Sequence, residues 1–155
     1  MKLFVWTVRS TIIAALCNVS SVHAVELPPE LQKSLKAYQI SSAVIERDAL
    51  KITTSRSTVT REMYSNIVLI GACSRLWSDA RKGWGAATIN SIEVRNAIGA
   101  QGYSFRGGRK ECAELGKLSG GEVEVRKYVD AHTWVCVAGN ECRPRRPGEV
   151  IAGDN

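Results

Sequence analysis

This chain has few of the side chains that do chemistry. Of its 155 residues two are histidines, and His23 lies in an N-terminal apolar stretch, which leaves His132 as the one imidazole beyond residue 24. No Gly-x-Ser-x-Gly elbow strains a serine into exposure, so Ser104, Ser119, His132 and Asp130 do not assemble a recognisable hydrolase triad from sequence. No Cys-x-x-Cys pair is present to lower a thiol's pKa, which argues against redox catalysis. His132 and Cys136 stand four apart, but a zinc site wants three or four ligands, and the sequence points to no metal and no cofactor. Aromatic residues make up only 6% of the chain. Beyond residue 24 the longest strongly apolar run, Ile67-Val68-Leu69-Ile70, is closed by polar residues within a turn, so no second segment approaches membrane-spanning length.

The first 24 residues are what the sequence states most clearly. Lys2 and Arg9 are the only charges there, Phe4 to Leu16 is mostly apolar, and Val22-His23-Ala24 has the small-x-small form that a signal peptidase accepts. The reading is a cleavable export leader over 1–24, cut after Ala24, which places the rest in the periplasm or outside the cell. Lipid attachment at Cys17 is disfavoured, because Leu16 occupies the place that wants a small residue. Removing the leader leaves 131 residues with 19 basic and 15 acidic side chains, a net charge of +4. That is one domain with a real core and a mildly basic surface. Outside the cytoplasm such a surface meets an acidic protein, an anionic envelope polymer or a lipid headgroup rather than nucleic acid.

Four cysteines then remain. In an oxidising compartment they read as two disulfides. Cys136 and Cys142 bracket a turn at Gly139-Asn140 and are expected to pair, which leaves Cys73 with Cys112.

Periodicity gives the elements. Pro28-Pro29 followed by Leu31, Leu35 and Tyr38 predicts a helix over 28–39, and residues 43–54 predict a hairpin turning at Arg47-Asp48. Thr60 caps a long helix over 60–82, with Met63, Ile67, Ile70, Cys73, Trp77 and Ala80 inward, Val68, Leu69, Ala72 and Leu76 widening that stripe into a core helix packed on more than one side, and Gly83 as its left-handed stop. Residues 90–101 read two ways: Ile92, Val94, Asn96 and Ile98 alternate like a strand, whereas Asn90 with Glu93 forms a capping box and Ile89 with Val94 a hydrophobic staple, so a helix is the expectation, followed by a strand at Tyr103-Ser104-Phe105. A short helix runs from Gly107-Gly108 to about Leu118. Val123, Val125 and Tyr128-Val129 then predict a strand, joined by a turn at Asp130-Ala131-His132 to a second strand over Trp134–Val137. The sum is an α+β domain over 25–142, three to four helices on a small antiparallel sheet, followed by a flexible basic tail over 143–155.

Candidate binding residues follow from exposure and charge. Trp84, held between Gly83 and Gly85, is a candidate anchor for a partner protein, although a buried lid is the alternative. Arg109 and Lys110 beside Gly107-Gly108 are a candidate anion cradle. Arg143, Arg145 and Arg146 are candidates for docking on an acidic surface. The expected function is a non-enzymatic, exported, protein-binding factor of the inhibitor, immunity or accessory-subunit kind. The alternatives are a small envelope enzyme acting on polysaccharide through Glu62, Glu93, Glu111 or Glu114, or a module that binds an anionic glycan or lipid.

Overall fold

A computed structural model describes residues 25–78, 83–138 and 141–154. The leader, its cleavage after Ala24, Cys17 and the last helical positions Ala80, Arg81 and Lys82 lie outside the described residues.

The diproline starts α1 (Pro29–Leu35), which buries Leu31 and Leu35. β1 (Ile40–Glu46) and β2 (Ala49–Thr54) form the expected hairpin. Its turn residues Arg47 and Asp48 both adopt left-handed backbone, with φ of 50° and 59°. That is the two-residue turn whose twist matches the strands. The hydroxyl of Thr60 accepts the Met63 N–H at 3.2 Å and opens α2, which runs through Arg61–Asn66, a π-helical stretch Ile67–Cys73 and Ser74–Ser78.

The π stretch moves the buried arc. Ile67, Val68, Ala72, Cys73 and Leu76 face the core, whereas Ile70 is 54% and Trp77 43% exposed. Hydrogen bonds closing at i→i+5 put more residues into each turn, so a stripe drawn at three- and four-residue steps drifts off the buried side. α1 crosses α2 at Gly71, where a Cβ would stand 3.1 Å from the Leu35 side chain and where the Ser34 hydroxyl donates to the Gly71 carbonyl. Gly83 is not the left-handed stop. It is needed because a Cβ there would come within 2.3 Å of the Arg75 carbonyl, and the positive φ falls on Gly85 at 54°.

Two segments differ in kind from the sequence reading. Residues 90–101 are not a helix: β3 (Ser91–Arg95) and β4 (Gln101–Phe105) form a hairpin. The Asn90 N–H, which a capping box would engage, donates instead to the Asp48 carbonyl at 2.7 Å. The Asn96 side chain closes the turn by accepting the Ala100 and Gln101 N–H groups. After α3 (Arg109–Leu115), the expected strand at 123–129 is a helix, α4 (Gly121–Ala131). Glu124 accepts the Gly120 N–H at its start, Glu122 and Arg126 pair one turn apart, and Val125, Tyr128 and Val129 share the face that meets the core. Packing of that face overrides the β preference of the valines. His132 therefore caps a helix and does not sit at a hairpin tip.

β5 (Thr133–Val137) and the two-residue β6 (Cys142–Arg143) complete a six-stranded sheet in the order β1-β2-β3-β4-β5-β6. All neighbours are antiparallel except β2 and β3, which run parallel because α2 carries the chain between them. The sheet is larger than expected, and the class is α+β. Register sorts its faces. Ile45, Leu50, Ile92 and Phe105 lie in one row across the strands and Ala43, Ile52, Val94, Tyr103 and Val135 in the next, all turned to the helices. All four helices contribute to that one core. Cys73–Cys112 staples α2 to α3 across 39 residues, and Cys136–Cys142 links β5 to β6 across 6; both pairs are the expected ones.

Candidate functional site

The helices cover one side of the sheet. On the other, the register aligns Val44, Lys51, Glu93, Ser104 and Trp134 in one row, and Ser42, Thr53, Arg95, Gly102, Cys136 and Cys142 in the next. None of these side chains joins the hydrophobic core. Two-period alternation puts them there, since each strand supplies apolar residues to one face and polar residues to the other. Among the described residues this outer face carries no helix.

Its side chains are organised laterally. Arg95 lies over the middle of the sheet: it donates to the Gly99 carbonyl at 3.0 Å, contacts Glu93 at 3.4 Å and approaches the Cys142 sulfur at 3.4 Å. Lys51 pairs with Glu46 at 2.9 Å, and its ammonium holds that carboxyl below its ordinary range. The Arg106 guanidinium sits 4.5 Å from the Trp134 ring centroid, a cation–π contact at the rim. A shallow concavity of about 930 Å³ is bounded by Lys51, Glu93, Arg95, Gly99, Glu141, Cys142 and Arg143. The result is a polar surface of alternating charge beside one aromatic ring. It presents hydrogen-bonding groups in fixed positions, as a protein interface does.

The residues singled out from sequence lie elsewhere. Trp84 is fully buried, and its indole N–H donates to the Ala72 carbonyl at 3.0 Å. It is a core residue, not an exposed anchor, because the Gly-Trp-Gly loop folds back onto α2. The cradle at Gly107-Gly108 is filled by the chain itself: the Glu111 carboxylate accepts the Gly108 N–H at 2.8 Å, and that bond holds Glu111 below its ordinary pKa. Arg109 donates to the Gly85 carbonyl at 2.6 Å and reaches over Trp84, while Lys110 lies 4.0 Å from Glu114.

Residues 143–154, described within the 143–155 segment expected to form a flexible tail, are tied to the domain. Arg143 pairs through two nitrogens with Glu149, and Arg145 does so with Asp154. The Arg146 N–H also donates to Glu149. Gln101 then clamps the strap, donating to the Val59 and Ala152 carbonyls, and the Arg61 N–H donates to the Gly153 carbonyl at 2.9 Å. Asp154 accepts the Tyr103 hydroxyl at 3.0 Å. These partners were invisible in sequence because Glu149 and Asp154 follow the arginines and the strap must turn at Pro147-Gly148 to bring them back.

The groups weighed for chemistry are also engaged. Asp130 pairs with Arg61, His132 stacks on Tyr128 with centroids 4.3 Å apart, and its Nδ1 lies 2.9 Å from the Tyr128 carbonyl. Tyr128 in turn donates to Glu114 at 2.9 Å; burial first, then that carboxylate, pushes its hydroxyl up to about 12. Ser104 is buried in the outer sheet row, and its hydroxyl bonds neither Asp130 nor His132. Glu93 pairs with Arg95. No group of three or more metal-ligating side chains occurs among the described residues, and none of their helices is long and apolar enough to cross a membrane. Sequence reasoning missed Arg95, Glu93 and Trp134 as members of one surface. Strand alternation was the available signal, but their neighbour relation depends on a parallel pairing set by α2.

Compared with family models, with curated proteins and with solved structures, the chain matches none of them.

Proposed function

We propose that the protein is a small, exported, non-enzymatic binding factor that docks a partner protein on the open face of its sheet. One observation carries this reading: among the described residues the six-stranded sheet has its helices on one side only, and the other side presents Val44, Lys51 and Trp134, with Glu93 mostly enclosed and Ser104 fully buried between them. Two features support it. The carboxylates and the imidazole considered for catalysis serve as helix caps, stacks and ion pairs, apart from Glu62. Of the tail arginines considered for anionic polymers, Arg143 and Arg145 are held by Glu149 and Asp154, and an occupied guanidinium is a poor magnet for a second anion, whereas Arg146 gives only its backbone N–H to Glu149. The export assignment rests on the leader and on the two cystines.

The test is capture of a stoichiometric partner from envelope extract by wild type and by a variant carrying Lys51→Glu and Trp134→Ala. The expected result is one partner retained by wild type and lost by the variant, whose circular dichroism matches wild type. Equal retention by both, or no partner at all, overturns the reading.

A further inference from the structure

Beyond that reading, we propose that the Cys136–Cys142 cystine is a redox switch: a dithiol reductant opens it by attacking Cys142, while Cys73–Cys112 stays closed. The two cystines differ in access. Cys73 and Cys112 are both fully buried between α2 and α3, where the Trp77 indole N–H donates to the Cys112 carbonyl at 2.7 Å. Cys136 is enclosed as well, but Cys142 is partly exposed and borders the concavity on the open sheet face. A nucleophile entering that concavity meets Cys142.

Charge there favours a Cys142 thiolate. The Arg95 guanidinium, on β3, lies 3.4 Å from the Cys142 sulfur and is held in place by the Gly99 carbonyl at 3.0 Å. The same concavity is bounded by Lys51 on β2, by Arg143 on β6 and by the carboxylates of Glu93 and Glu141. Lys51 pairs with Glu46 and Arg143 with Glu149, while Glu93 shares the Arg95 guanidinium, so Arg95 is the cation that touches the sulfur. A guanidinium keeps its charge at any working pH and lowers the proton affinity of a thiol beside it. The link itself is lightly backed: it closes a separation of 6 residues, and β6 pairs with β5 at two positions only. Exposed cystines are the more reducible ones.

The exchange balances as follows from thiol chemistry. The reductant's thiolate bonds the Cys142 sulfur, the Cys136–Cys142 bond breaks, and Cys136 leaves with the electron pair and takes a proton from solvent. The reductant's second thiol gives its proton to solvent and attacks its own sulfur in the mixed disulfide, and Cys142 leaves as a thiolate beside Arg95. Two electrons have passed from the dithiol, now a disulfide, to the cystine. Opening frees Glu141, Cys142 and Arg143, one wall of the concavity, from β5, while Gln101 and Arg61 still clamp residues 152–153. That the setting governs partner capture rests on the docking reading above.

The experiment exposes the oxidised chain to limiting dithiothreitol and maps free thiols by alkylation and peptide mass. Cys136 and Cys142 are expected to be labelled about tenfold or more faster than Cys73 and Cys112. Labelling of all four together, or of Cys73 and Cys112 first, overturns the proposal. A second measurement follows iodoacetamide alkylation of Cys142 against pH in Cys136→Ser, where that thiol is free. Adding Arg95→Gln is expected to move the midpoint of the rate profile to higher pH and to slow the reaction at neutral pH by about fivefold, and Arg95→Lys to restore most of both. A mere change in access would alter the rate without moving the midpoint, so an unmoved midpoint also overturns the proposal. No partner is present in either measurement, and neither result bears on docking at the sheet face.

Discussion

The indole of Trp84 is hydrogen-bonded to the carbonyl of Ala72, twelve residues back in the chain, inside the core. The bond ties the loop that leaves α2 to the middle of α2 itself, at a turn where the π-helical stretch has displaced the regular ladder. Trp84→Ala is therefore expected to lower unfolding free energy by about 4 kcal/mol, the range for emptying a large aromatic site. Trp84→Phe keeps most of the volume but strands the Ala72 carbonyl, and is expected to cost about 1–2 kcal/mol. Urea denaturation of both variants checks this, and a loss under about 1 kcal/mol for the alanine variant would contradict the buried placement.

The two cystines differ in the loops they close. By chain entropy Cys73–Cys112 contributes about 4 kcal/mol and Cys136–Cys142 about 2 kcal/mol. Replacing each pair by alanines is expected to rank in that order in denaturant midpoint. A reversed order would show that the link between β5 and β6 anchors more of the molecule than its own strand pair.

Acid is expected to loosen the C-terminal strap. The hydrogen bonds from Arg145 hold Asp154 down to about 2, and those from Arg143 hold Glu149 down to about 2. Unfolded, these groups titrate near 4, so between about pH 4 and about pH 2 the unfolded chain binds more protons and stability falls as pH drops. Their contribution is complete above that window. Asp154→Asn is expected to be less stable at neutral pH and to show a shallower acid slope; an unchanged slope in pH-dependent thermal melts would contradict the ion pairing.

Asn96 is 4% exposed; its amide oxygen closes the β3–β4 hairpin by accepting from Ala100 and Gln101, and its NH2 donates to the Ser57 carbonyl in the segment between β2 and α2. Asn96→Ala leaves those groups without partners, and an expected cost of about 2–3 kcal/mol follows. Hydrogen exchange at Ala100 and Gln101 should accelerate in the variant. Protection equal to wild type would mean that the strands alone hold the turn.

What was legible in the sequence was local. The Thr60 cap, the Arg47-Asp48 turn and the Cys136–Cys142 pair each depend on residues within a few positions of one another. Residues 90–101 misled because Asn90 and Glu93 have capping-box spacing, yet the Asn90 N–H is claimed by Asp48, far away in the chain. Residues 121–131 misled because valines favour strands, while the face formed by Val125, Tyr128 and Val129 meets a core that sequence does not display. The outer sheet surface was illegible for the same reason: Lys51 stands opposite Glu93 only because β2 and β3 run parallel. The orientation of Ile70 depended on a π-helical stretch that no propensity signals.

That parallel junction also dictates how the chain can find its shape. The β1–β2 and β3–β4 contacts join segments adjacent in sequence, so these two hairpins can form early and independently, whereas β4–β5 closes over both α3 and α4. Uniting them requires α2 to be laid down first, since it spans the gap and aligns their directions. Lesions in the middle of this helix are thus expected to slow acquisition of the native state more than lesions of similar size in either hairpin.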